Sequence, residues 1–397
     1  MTFRGYCLEQ VAAAYDVVLI SPSAPSWERM FIVDHESADP ADPQQLIAAG
    51  RALARRHPIA GVLTWTEWHL VPTALLTEAL GHSTVTAQTM RACRDKAAAR
   101  RRFAQAGVPS ARSIAVASPD EAADAADTIG YPVVLKPSQQ AASLGVIRVD
   151  ARDQLDRAWP YTAHAANSDA SPGRPGILVE EYLDGPEISV ECVTHQGVTT
   201  AVAVTRKSLG PYFQETAHSV DASDPLLPQA APVAVQAVQA LGITSGVQHV
   251  ELRLTDRGPR IIEVNARIGG DLIGRLVHLA TGIDLPRAAA DTACGRTPDL
   301  RQTRHRAAAI KLLYPPASGR LTARHLTPAF AAHTPWLHQI HWLHDLGEQI
   351  TLPPQGDMFT ARAGFFIVTA RDTAQAAHRV QLVTDEIHLA ISPTGRT

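Results

Sequence analysis

Residues 247–270, VQHVELRLTDRGPRIIEVNARIGG, constrain the fold more than any other stretch. Val250, Leu252 and Leu254 alternate with His249, Glu251 and Arg253, the period of a half-buried strand. Residues 255–259 (TDRGP) read as a turn. Residues 260–265 return as a second strand, with Ile262 and Val264 on the apolar face and Glu263 and Asn265 on the other. A turn centred on Arg257 puts Glu251 and Glu263 at equal distances from it, and therefore opposite one another in an antiparallel hairpin. Directly opposed like charges are destabilising, and a hard divalent cation with oxygen ligands removes the repulsion. Asn265 adds an amide oxygen, and Arg267 follows on the same face. A solvated hairpin face without function is the alternative reading of the same pattern.

At 397 residues the chain is long enough for two or three domains. It is 45% hydrophobic and 19% charged, ordinary for a soluble globular protein. A net charge of −3 gives no electrostatic case for nucleic acid or an anionic membrane. Cys7, Cys93, Cys192 and Cys294 are scattered without a CxxC pair. This argues against a disulfide framework or a zinc site and fits a reducing cytoplasm. No apolar run reaches transmembrane length, and the N-terminus lacks a basic-then-apolar signal pattern.

Residues 1–88 alternate helix-like and strand-like segments, the pattern of a parallel α/β sheet. Strands are expected at 15–20 and 59–64, and helices at 44–56 and 72–80. Residues 3–14 look helical with no strand before them, which leaves a missing first strand or a different start open. Parallel sheets bind ligands at the carboxyl ends of their strands, so Thr66, Glu67 and His69 are substrate-site candidates, or plain loop residues. Residues 87–105 read as one basic helix ending at Gly107-Val108-Pro109. Such a face is usually solvated. Residues 118–129 form a helix capped by Ser118 with Glu121 at capping-box spacing.

Val133-Val134-Leu135-Lys136-Pro137 ends a buried strand on a lysine, which costs desolvation unless it meets an anion. The small-residue loop 138–146 follows, and the backbone N–H groups of such a loop can cradle phosphate oxygens. Residues 167–176 (NSDASPGRPG) read as a flexible exposed loop. Strands are expected at 177–179, 187–193 and 198–206, an irregular polar loop at 208–219, and helices at 228–241, 273–281 and 285–294. Beyond Gly295, strands at 306–313 and 365–368 and a helix at 374–387 suggest a small α+β domain. No internal repeat is visible.

Taken in order, these strings resemble an ATP-grasp enzyme over nearly the whole chain. They are Cys93-Arg94-Asp95-Lys96, Tyr131-Pro132-Val133-Val134-Leu135-Lys136-Pro137, Ser143-Leu144-Gly145-Val146 and residues 179–187 (VEEYLDGPE). Glu215-Thr216-Ala217-His218, Glu251 and residues 263–270 (EVNARIGG) complete the set. Each string is short and weakly specific alone; the ordered set is specific. The resemblance implies an α/β and α+β multidomain protein with the ATP-grasp fold. An N-terminal parallel α/β domain would span 1–88 and the ATP-grasp domain 89–296, with a lid at about 112–183. A small C-terminal α+β domain would span 297–397.

The resemblance also assigns roles. Lys96 and Lys136 would hold ATP phosphates, and Ser143 to Gly145 would close over them. Glu180 would accept from the adenine amino group beside Glu181, the backbone at Leu183 would meet the ring, and Glu187 would take the ribose hydroxyls. Glu251, Glu263 and Asn265 would bind Mg2+, or Mn2+ in its place, and so neutralise charge during phosphoryl transfer. Arg267 and the Gly270 N–H would stabilise an acyl phosphate and a tetrahedral oxyanion. His218, with Arg206 or Lys207, would contact the γ-phosphate or the transferring group. Gln139-Gln140-Ala141-Ala142 stands where many relatives carry glycines.

The implied activity is that of an ATP-dependent carboxylate–amine ligase making an amide through an acyl phosphate. No protein nucleophile is needed, in keeping with the absence of a Ser-His-Asp or Cys-His pattern. The segments 265–271, 307–316 and 362–364 are most similar to the L-amino-acid ligases, dipeptide synthetases of natural-product or peptide pathways. Its partners would then be small-molecule carboxylates and amines in the cytoplasm, with no nucleic acid and no membrane. Many relatives are homodimers. The competing readings are a carboxylase-type or purine-pathway ATP-grasp enzyme, and a degenerate nucleotide-binding module that has lost turnover.

Overall fold

The computed structural model describes residues 3–82, 84–141, 143–167, 176–211, 213–353 and 355–392. Ala142 of the small-residue loop, and most of the exposed loop expected at 167–176, lie outside the described residues. The chain forms two compact units. The first comprises Met1–Val202, Pro225–Gly274 and Asp284–Leu300, and the second Ala203–Asp224, Arg275–Ile283 and Arg301–Thr397.

The first unit opens with α1 (Gly5–Ala12), β1 (Val18–Ser21), β2 (Asp34–Ser37), α2 (Pro43–Ala54) and α3 (Leu70–Ala79). Strands β1 and β2 pair in parallel. The strand expected at 59–64 does not form; the segment packs instead on the backbone beyond it. A Cβ on Gly61 would lie 2.5 Å from the Ala293 carbonyl oxygen, so only glycine fits there. The basic helix expected at 87–105 is two helices, α4 (Ala87–Arg94) and α5 (Lys96–Gln105). Asp95 breaks it by capping the second, accepting from the Ala97 N–H at 2.9 Å and the Ala98 N–H at 3.3 Å.

A four-stranded antiparallel sheet follows, in the order β3 (Ser113–Val116), β6 (Ile177–Glu181), β4 (Val133–Pro137) and β5 (Ile147–Val149). It is backed by α6 (Pro119–Ile129) and α7 (Leu155–Ala166). Val133, Leu135 and Val179 are fully buried against Ala122 and Ala126. The Ser118 hydroxyl caps α6 at the Glu121 N–H, as its spacing predicts, while the Glu121 carboxylate turns back to the Ala117 N–H.

Strand β7 (Glu187–His195) pairs with β10 (Gly246–Thr255), which pairs with β11 (Gly258–Asn265), all antiparallel. Helix α8 (Leu227–Ala240) packs on all three strands. The hairpin turn is tighter than expected, because Thr255 pairs with Gly258. A plain hairpin from that turn would put Glu251 opposite residue 262. A β-bulge at Ile262 restores the offset, so Glu251 faces Glu263 and His249 faces Asn265. Ile261, not Ile262, therefore takes the fully buried position. Helices α9 (Ile273–Thr281) and α10 (Leu285–Ala293) follow the hairpin, as expected.

In the second unit β8 (Val198–Leu209), from Ala203 on, pairs with β9 (Glu215–Asp221). Strand β9 pairs with β12 (Ala307–Leu313), against the loop expected at 208–219. His218 and Val220 are buried, and the strand is anchored by its neighbours rather than by an alternating pattern of its own. Three more strands that sequence reading missed are β13 (Gly319–Leu326), β14 (Leu337–Trp342) and β15 (Gln349–Ile350). Strand β16 (Gly364–Ala370) pairs with β12 and β14. Helix α12 (Thr373–Glu386), which follows the short α11 (Pro328–Ala332), sets Ala376 and Val383 against Phe366 and Val368. A final strand, β17 (Ile387–Ser392), pairs with β13.

The bulged register predicts unequal costs at neighbouring isoleucines. Ile261→Ala should destabilise by about 2–5 kcal/mol, the usual loss for a buried large-to-small change. Ile262→Ala should cost only about 1 kcal/mol. Equal losses, or the reverse order, in urea unfolding would contradict the register.

Candidate active site

The hairpin sets two carboxylates face to face on adjacent strands, and each meets a nitrogen partner. The Glu263 carboxylate takes an ion pair from Lys96 Nζ at 2.9 Å. Lys96, the first residue of α5, also donates to the Gln140 carbonyl at 2.5 Å. Glu251 lies 3.1 Å from His249 Nε2, whose Nδ1 lies 2.9 Å from the fully buried Glu191. Ser189 donates to the same Glu191 at 2.7 Å. Gly269 passes so close over the imidazole that a Cβ would fall 2.9 Å from Nδ1. Two carboxylates and the buried Asn265 amide are the hard oxygen donors that magnesium takes, so the donor set fits that ion.

Behind the hairpin sits a buried three-member ion cluster. Lys136 at the end of β4 reaches the Glu180 carboxylate at 2.5 Å. Arg100 grips the same carboxylate with two bonds, of 2.7 and 3.0 Å. Its remaining reach goes to the Ile262 carbonyl at the bulge, at 2.7 Å. Burial alone would push the Glu180 carboxyl up, but Arg100 and Lys136 outweigh it and hold it at about 2. Burial, against the pull of Glu180, leaves Lys136 below the ordinary lysine value. Both lie where removing a partner leaves an uncompensated charge.

Arg267, just past Asn265, pairs with Glu67 at 2.7 Å and reaches the Asn265 amide oxygen at 3.4 Å. Glu67 takes a second bond from Arg94 at 3.2 Å. Burial raises the Glu67 carboxyl, and the two arginines more than reverse it, so its pKa is lowered. Arg94 stacks over Trp68 and donates to the Gln139 carbonyl at 2.8 Å. Of the three candidates past residue 64, Glu67 joins the site.

The remaining expected residues line the same unit. Ser143 and Gly145 have φ of 57° and 73°, so the loop turns through the left-handed region twice. Gln140, in the stretch where many relatives carry glycines, is buried and ties the loop to α7 through the Ala165 carbonyl at 2.7 Å. Glu181 points away from Glu180, as neighbours on a strand do, and pairs with Arg257 and Arg112. Leu183 is buried. Glu187 is held by Arg253 at 3.0 Å, and the same arginine donates to the Gly185 carbonyl at 2.9 Å. The Gly270 carbonyl accepts from the Ile273 N–H at 2.8 Å.

His218 is in the second unit, on β9, with its side chain buried and Nε2 3.8 Å from the Glu215 carboxylate. Lys207 reaches Glu215 at 3.0 Å, whereas Arg206 is engaged by Asp224 at 2.7 Å. Lys207 is therefore the cation of that cluster, and Arg206 is not.

Sequence reading gave no role to Arg100, Glu191 or Arg94, although Arg94 stands in one of the quoted strings. The other two also left a usable signal. Arg100 lies four residues after Lys96 and so on the same helix face. Glu191 falls in step with Glu187 and Ser189 on one face of β7.

Residues 129–275 match the ATP-grasp domain model, and the fold around them is the ATP-grasp fold. Over 98% of its length the chain superposes on the L-amino acid ligase of Bacillus licheniformis, covering 95% of that chain with a TM-score of 0.82 at 23% identity. An uncharacterized protein of Sinorhizobium fredii is 26% identical over 358 residues, which is 89% of this chain and 73% of that one. Alanine–anticapsin ligase of Bacillus subtilis is 25% identical over 287 residues, which is 67% of this chain and 60% of that enzyme.

The Glu180 cluster makes a pH prediction. A carboxyl lowered in the fold stabilises it above the unfolded value of 4.5. That stability is lost as pH falls from there towards about 2. Arg100→Met leaves Glu180 with Lys136 alone and should cost about 3–5 kcal/mol at neutral pH. It should also move acid unfolding, followed by circular dichroism, to higher pH. An unchanged acid midpoint would show that Arg100 does not hold the carboxylate.

Proposed function

We propose that the chain is an ATP-dependent carboxylate–amine ligase that joins two amino acids, or amino-acid-like substrates, through an acyl phosphate. The observation that carries this reading is the 2.9 Å pair between Lys96 and Glu263. It brings an expected phosphate-binding cation and an expected metal carboxylate into one site. The likeness to alanine–anticapsin ligase and to an L-amino acid ligase supports the choice of amino acids as substrates.

The residues divide the work. Lys96 and Lys136 would exchange their carboxylate partners for phosphate oxygens when nucleotide enters, with Arg100 left to hold Glu180. Ser143 and Gly145 would close over the phosphates, and Glu180, Glu181, Leu183 and Glu187 would border the nucleoside. The four-stranded sheet, whose β6 carries Glu180 and Glu181, would act as the lid, within about 112–183 of a domain running from 89 to 296, between domains at 1–88 and 297–397. Glu251, Glu263 and Asn265 would hold magnesium, which neutralises phosphate charge during transfer.

A substrate carboxylate oxygen attacks the γ-phosphorus and ADP leaves. The amine then attacks the acyl carbon, the carbon–oxygen bond breaks, and phosphate departs with that oxygen. Arg267 would stabilise the acyl phosphate and the oxyanion, with Glu67 and Arg94 fixing its position, and the Gly270 N–H would assist. The assignment of His218 rests on the family resemblance alone. The proposed setting is the cytoplasm, and among the described residues no helix is long and apolar enough to cross a membrane.

The test is phosphate release from ATP and magnesium with a matrix of all amino-acid pairs, with products identified by mass. A pair giving both phosphate and a dipeptide mass is expected. Glu263→Gln should then lower turnover by about 100-fold or more, the scale of losing a charge-stabilising group, with an unchanged circular dichroism spectrum. Undiminished turnover in that variant would overturn the metal assignment. No nucleotide binding by the wild type would overturn the whole reading.

A further inference from the structure

A cavity of about 100 Å³ lies in the first unit, beside the proposed acyl-phosphate site. Leu63, Trp65, Leu70, Met90, Val247 and Ile268 form much of its wall. Ala266 and Arg267 also line it, so it begins one residue past Asn265. Val247 falls in step with His249 and Glu251 along β10, on the face that carries the site.

Its chemistry is narrow. Arg267 is the one charged residue in the lining, and its guanidinium is already paired with Glu67 at 2.7 Å. Three of the lining hydroxyls donate to backbone carbonyls: Thr77 to Thr73, Thr292 to Ala289 and Ser245 to Thr292. A charged occupant would find no counter-ion there that is not already paired. Size narrows the choice further. An apolar cavity of about 150 Å³ takes benzene, and this one is a third smaller.

We propose that this cavity is the side-chain pocket for the carboxylate substrate, and that it selects an amino acid with a short, uncharged aliphatic side chain. The inference rests on the ligase reading. It commits to the carboxylate substrate because the Arg267 end of the cavity is where the carboxyl group being activated would lie.

Hydroxylamine supplied in place of the amine isolates that half-reaction, since hydroxamate then reports only activation of the carboxylate. The series runs through glycine, alanine, valine, leucine, phenylalanine and aspartate. Wild-type kcat/KM is expected to rise from glycine through the aliphatic members, by about tenfold per well-packed methylene, and to collapse at phenylalanine and aspartate. Ala289→Leu and Ala74→Val fill the cavity from two helices without touching the charged site, and either variant alone suffices. Each should lower kcat/KM for the largest accepted side chain at least tenfold while leaving glycine unchanged. If the variants keep the wild-type order and gain in Tm, the cavity is a packing void and the inference falls. It falls equally if they change only the preference for the amine in dipeptide formation. If the wild type makes no hydroxamate from any acid, the ligase reading itself fails.

Discussion

Two carboxylates facing each other across a strand ladder repel, and the site is arranged around that repulsion. Glu251 and Glu263 face each other only because a residue is inserted at the bulge. The same bulge turns the Ile262 carbonyl to Arg100, and Arg100 in turn holds Glu180 beside Lys136. The hairpin and the four-stranded sheet are thus tied by one buried guanidinium. Lysine or arginine stands against most of these carboxylates: Lys96 for Glu263, Arg100 with Lys136 for Glu180, and Arg267 with Arg94 for Glu67, while the His249 imidazole lies against Glu251. This is charge balance by exchangeable partners, the condition in which a polyanion and a hard cation can enter together at small net electrostatic cost.

Much of this was legible in the sequence. The opposed glutamates, Asn265 and Arg267 follow from a period of two, and Lys136 stands out as a lysine at the end of an apolar strand. The facing of Glu251 and Glu263 came out right although the turn was misplaced. The two-residue turn and the bulge each shift the register by one, and the shifts cancel. Ile262 was consequently assigned the buried position that Ile261 holds.

What was not legible depends on distant partners. Arg100 looks like part of a solvated basic face until its bonds to residues 80 and 162 positions away are known. Strand β9 carries His218 in a stretch whose polar residues suggest a loop, and its pairing with β8 and β12 supplies the order that its own sequence lacks. The segment 59–64 has strand composition but no strand neighbour, and its glycine is used for close contact. Asp95 divides one expected helix into two because its side chain competes for the backbone N–H groups ahead of it.

The central claim is that a carboxylate oxygen is phosphorylated before the amide forms. It is tested most directly by labelling both carboxylate oxygens of an accepted amino acid with oxygen-18 and examining the released phosphate by mass. An acyl phosphate requires one labelled oxygen in each phosphate formed, with ADP as the other product. Unlabelled phosphate, or release of AMP and pyrophosphate, would contradict it.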